Sequence, residues 1–276
     1  IESLGDISRL QEVFINLSAV VHRQITYVCN NLSSANANLL ASLLRLVCIL
    51  LERTPTSTGV DCSMLMTEVL CLKSVLQLSA ETHTVLTARV NVVLAVLMQR
   101  SPSLCVSTDT ISESMILCSR GARLLADASQ HAMEARTAAT SSAARKAAAA
   151  TAHIRLELWA NMMLVQSALG SVCCDLEEVT RISEVTGFHK ALGSLIDCAD
   201  VWTQTEESNN TATPAFTSLY AFMNAGKQSS KNWLPSFAQL SVTCISLCCA
   251  FCRDNLAGKR LLLTSCDMRN KEGVGH

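Results

Sequence analysis

Apolar residues recur three and four positions apart in one segment after another of this chain, each roughly 12–25 residues long and closed by a short polar break. That spacing lays an apolar stripe along a helix, whereas a half-buried strand would need strict alternation. The first segment runs from Asp6, a residue suited to capping a helix, through Leu10, Val13, Phe14, Leu17, Val20 and Val21 towards Cys29. A second covers 35–53 and stops at Thr54-Pro55. Asp61 opens a third that reaches Leu78, and 81–99 form a fourth that ends ahead of Pro102. Helices of similar length joined this way become antiparallel neighbours. The expected fold class is all-α.

Punctuation supports the same class. Ten Gly and four Pro are too few for a sandwich or barrel, which needs turn chemistry about every 8–12 residues. Hydrophobic residues make up 49% of the chain and charged ones 16%, against roughly 25% charged in ordinary soluble domains. Many side chains must therefore hide from water. Aromatics are only 4%, so the core is built from Leu, Val, Ala, Met and Cys, sizes that let helices approach closely.

Residues 109–174 are helical by propensity almost throughout. Their middle, 132–152, is dominated by Ala and weakened at Thr137, Thr140, Ser141 and Ser142, which makes it a connector helix or an insert. Amphipathic spacing returns from His153 through Ile154, Leu158, Met162, Val165 and Leu169. A short helix is expected over 175–185, closed by Gly187, then another over 188–202. Thr203 to Thr213 lacks an apolar period and reads as a mobile loop. Pro214 opens a helix to Asn224, and 234–252 and 254–265 supply two more. The expected organisation is N-terminal helical repeats over 1–131, the Ala-rich segment over 132–152, C-terminal repeats over 153–266 and a flexible tail over 267–276.

Two stretches are alike. Residues 169–187 and 248–266 each carry an apolar helix end, a polar step with Asp175 or Asp254, and a short helix in which Arg precedes aliphatic residues. Arg181-Ile182 and Arg260-Leu261 lie about 79 positions apart, close to twice the roughly 40-residue unit of HEAT and armadillo arrays. On these residues the chain resembles the armadillo family, well over 156–196 and 237–266, and only as general helix pairs over 1–99. The resemblance implies an armadillo/HEAT-like α-solenoid, a stack of antiparallel helix pairs. It also implies a non-enzymatic protein–protein interaction scaffold, of the kind that large proteins of cell division and meiosis contain.

Signatures of chemistry are missing. Gly226-Lys227 and Gly258-Lys259 lack the preceding Gly and following hydroxyl of a phosphate-binding loop. Neither G-x-S-x-G nor H-E-x-x-H occurs. The metal case rests on Cys249-x-x-Cys252 with Cys244, Cys248, Cys266 or His276. Cys244, Cys248 and Cys252 fall at i, i+4 and i+8, however, the pattern of a packed helix stripe, and no second C-x-x-C completes a tetrahedral site. His153 and Glu157 share a helix face as an ordinary surface pair. No catalytic group, metal or cofactor is expected.

Of fourteen cysteines, Cys29, Cys48, Cys71, Cys118, Cys173, Cys174 and Cys244 continue apolar helical patterns, so they read as reduced, buried side chains. That places the protein in a reducing compartment, cytoplasm or nucleus. No apolar run reaches the ~18 residues of a membrane span, and no membrane association is expected. Ile1 in place of an initiator Met suggests a piece of a longer protein. The expected partner is a peptide or helix, met by Asn161, Trp202, Trp233, Lys259 and Arg260, with Trp159 and Trp202 also suited to anchoring the core. Net charge is −1 overall but +4 from Lys227 onward, seven basic residues against three acidic. The second reading is therefore a nucleic-acid-associated helical module. A third is the regulatory domain of an enzyme whose catalytic part lies elsewhere.

Overall fold

The computed structural model describes residues 2–30, 34–53, 61–78, 84–137, 151–196, 235 and 237–272, and every element among them is a helix. They are α1 (Glu2–Asn30), α2 (Ser34–Arg53), α3 (Ser63–Leu78), α4 (Thr84–Arg100), α5 (Thr108–Thr137), α6 (Ala152–Leu169), α7 (Leu176–Thr186), α8 (188–196), α9 (Phe237–Cys252) and α10 (Leu256–Glu272). The all-α class is thus observed. The last helix continues to Glu272, past the point where the sequence places a tail. Of the Ala-rich segment, 138–150 lie outside the described residues, as do the expected loop at 203–213 and helix at 214–224.

Local chemistry sets several helix ends. The Asp61 carboxylate accepts the Ser63 N–H at 2.9 Å, which holds the acid below its ordinary range. Gln11 of α1 grips the Asp61 backbone on both sides, its Oε1 accepting from the N–H and its Nε2 donating to the carbonyl. The start of α3 is thereby tied to α1. Asp175 caps α7 by accepting from the Glu177 and Glu178 N–H groups at 3.0 and 3.1 Å. Gly187 closes α7 with φ of 67°, the left-handed conformation that favours glycine.

Packing follows a regular rule. Helix pairs consecutive in the chain touch (α1 on α2, α3 on α4, α5 on α6, α9 on α10), and α1 meets α3, α2 meets α4, α4 meets α6, and α5 meets α7. Further along the chain, α6 meets α9 and α7 meets α10. One core cluster joins these helices, with Phe14, Leu40, Leu44, Leu65, Leu94, Leu97, Phe188 and Phe251 almost wholly enclosed. Phe188 and Phe251 meet edge to face at 6.4 Å. Each such enclosed side chain contributes about 1.5–3 kcal/mol. Helix α4 is buried from 90 to 98 without a break, because α2, α3 and α6 surround it.

Four buried hydroxyls are satisfied within their own helices. Ser18, Ser119, Thr180 and Thr243 donate to the carbonyls of Phe14, Met115, Leu176 and Gln239, four residues back, at 2.7–2.9 Å.

Candidate partner-binding surface

Asn161 corrects the sequence reading. It is buried, 1% exposed, because α4, α5 and α9 all pack on α6. Its amide is used up internally: Nδ2 donates to the Glu157 carbonyl at 2.8 Å, and Oδ1 accepts from Asn91 Nδ2 at 3.1 Å. Asn91 Oδ1 in turn accepts from Lys73 Nζ at 2.8 Å. A polar relay therefore threads α3, α4 and α6, and Glu113 of α5 stands 3.8 Å from the Lys73 ammonium while accepting from Gln77. Burial lowers the Lys73 pKa and the Glu113 carboxylate partly offsets it. The relay is structural, linking four helices through groups that would be costly to leave unpaired. Sequence reasoning missed Lys73 and Asn91, although each interrupts an apolar run, as in Val90-Asn91-Val92.

Trp202 and Trp233 lie outside the described residues. Trp159 is buried, as its reading as a core anchor requires.

Lys259 and Arg260 are exposed on α10. The position of that helix is fixed by Asn255, whose Oδ1 accepts the Gly258 N–H at 2.9 Å and whose Nδ2 donates to Thr180 Oγ1 of α7 at 2.8 Å. The tight step before it bends through Asp254, at φ of 52°. On the outward side, Leu256 is 63% and Leu263 66% exposed. With Lys259 and Arg260 they fall at i, i+3, i+4 and i+7, a single helix face. Lys259 lies close enough to Cys252 to work against the burial that raises its thiol. On neighbouring α9, Leu240, Cys244, Leu247 and Phe251 form the buried side, while Val242, Ile245 and Cys249 face water. The leucines of α10 escaped the sequence reading because their aliphatic character suits a core equally well.

The arginine alignment also needs adjustment. The caps of α7 and α10, Asp175 and Asn255, are one residue further apart than Arg181 and Arg260, so the two arginines stand at different distances from their caps. Arg181 is exposed and donates to Glu178 through Nε at 2.8 Å. The two units are similar in order but shifted in register.

Among the cysteines, Cys48, Cys118 and Cys244 are buried and reduced, and burial drives the Cys118 thiol far up. The Cys244 thiol is raised by its hydrogen bond with Cys248, one turn away, and also faces the Leu192 carbonyl at 3.5 Å. Cys173 departs from the expectation: it is exposed, in the connection between α6 and α7, and Cys174 is half-buried there. Gly170 and Ser171 end α6 before either residue. Cys71 is exposed too. Among the described residues no three His, Cys, Asp or Glu side chains converge as a metal-binding set, and no helix is long and apolar enough to cross a membrane.

In comparisons with known proteins, the chain matches no family model, no curated protein and no solved structure.

Proposed function

We propose that this protein is a non-enzymatic interaction scaffold whose helix pairs stack as an armadillo/HEAT-like α-solenoid, and that α10 offers its docking face to an acidic amphipathic helix. The carrying observation is the face itself: two exposed leucines bracket two cations at helical spacing on a helix anchored from behind by Asn255. Leucines of this kind supply apolar area to a partner, and the cations set its charge and register. The contacts of α1 with α3, α2 with α4, α4 with α6 and α5 with α7 are what support the stacked arrangement, since in a solenoid each unit packs on its neighbours. Free cysteines fit a reducing compartment, cytoplasm or nucleus.

Fluorescence anisotropy with a labelled Leu/Glu amphipathic helix tests the reading. Binding should weaken about 10–100-fold in Lys259→Glu/Arg260→Glu, a loss of roughly 1.4–2.8 kcal/mol. A Leu/Lys helix of the same pattern should not bind. Exposed Arg253, Lys259 and Arg260 also favour the nucleic-acid reading. If a DNA or RNA probe binds with steep salt dependence and the acidic helix does not, that reading replaces this one.

A further inference from the structure

Away from α10, two connections lie against each other. The one between α4 and α5 (101–107) and the one between α6 and α7 (170–175) are joined by the Val172 N–H donating to the Pro102 carbonyl at 3.0 Å. Ser171 Oγ is 3.0 Å from both the Pro102 and Leu104 carbonyls, and the Cys173 thiol faces the Ser103 carbonyl at 3.6 Å. These bonds place the exposed side chains of Cys105 and Cys173 together in the lining of one small cleft. A cleft of about 60 Å³ beside them is floored by Val106, Ile111, Ala168 and Val179. That is far below the roughly 300–1,000 Å³ of a small-molecule pocket, so the feature there is the thiol pair itself.

We propose that Cys105 and Cys173 are an oxidation site, closing a reversible disulfide between the two connections when they meet a low-molecular-weight disulfide such as oxidised glutathione. One thiol ionises and its thiolate attacks the glutathione disulfide, which leaves a mixed disulfide and releases one glutathione thiolate that takes up a proton. The neighbouring thiol then loses its proton, attacks the protein sulfur of the mixed disulfide and expels the second glutathione. Two protein thiols are oxidised and one glutathione disulfide is reduced to two thiols. Burial and the adjacent Cys173 sulfur hold the Cys105 thiol above its ordinary range. Cys174 is the weaker competitor: it is half-buried, and burial and the Asp175 carboxylate raise its thiol further. The closed bond would tether the α4–α5 corner to the α6–α7 corner and shrink the unfolded ensemble.

The native full chain is incubated with oxidised glutathione, alkylated and mapped by mass spectrometry without reduction. The Cys105 and Cys173 peptides should appear joined, and the bond should open with dithiothreitol. Melting should rise by several degrees while the bond is present and return when it opens. Exposed Cys71 and Cys249 serve as references that take glutathione singly. In Cys105→Ser, Cys173 should stop at the mixed disulfide and the melting gain should vanish. If Cys105 and Cys173 in the parent protein each carry a separate glutathione, stay as free thiols while Cys71 reacts, or pair with Cys174, the proposal is overturned.

Discussion

Around α4 and α6, polar side chains point inward and each finds a partner: Lys73 on Asn91, Asn91 on Asn161, Asn161 on its own helix backbone. On α10 the pattern is turned inside out, with Leu256 and Leu263 pointing outward. The first region departs from simple hydrophobic patterning and is repaired within the molecule. The second departs from it and is left open. Unrepaired departures are the better guide to a binding surface, and they point to α10 rather than to Asn161.

The contrast can be broken by substitution, the inner side of α9 giving the largest effect. Leu247→Asp should destabilise the protein by about 4–5 kcal/mol, because an unpaired carboxylate is forced into a site with no exposure. Chemical denaturation reads this directly, and a variant that unfolds like the parent would show the phase of α9 to be wrong. Next comes Asn91→Leu, expected to cost about 3 kcal/mol by leaving the buried Lys73 ammonium without its acceptor. A loss under 1 kcal/mol would mean the relay is dispensable. The smallest effect belongs to Leu256→Ser/Leu263→Ser, which should alter stability by no more than about 0.5 kcal/mol per site while weakening capture of the acidic helix. A large loss of stability there would reveal an inner role for that face and erase the contrast.

Much of the helical framework is legible in the sequence because its signals are local. Asp61, Asp175 and Gly187 mark ends within a residue or two of where the chain turns. What escapes the sequence is long-range. Asn161 reads as a surface amide until Asn91, 70 positions away, is placed against it. Cys173 sits between apolar letters, yet Gly170 and Ser171 have already ended the helix, and only the fold brings Cys105 to its side. Lys259 and Arg260 are legible as partner contacts in the sequence, whereas the leucines that complete their face look like core residues until burial is known.

The hydroxyls bonded to their own helices carry a consequence for how such a chain can change. Ser18, Ser119, Thr180 and Thr243 ask little of neighbouring helices for their hydrogen bonding, apart from the contact Thr180 receives from Asn255. Replacing one of the other three by Ala, Val or Cys removes donor and need together, and leaves no group stranded in a facing element. Mutational drift can therefore exchange small residues at these positions one at a time, without a compensating change elsewhere. At these three positions the side chain can change while the helices keep the same neighbours.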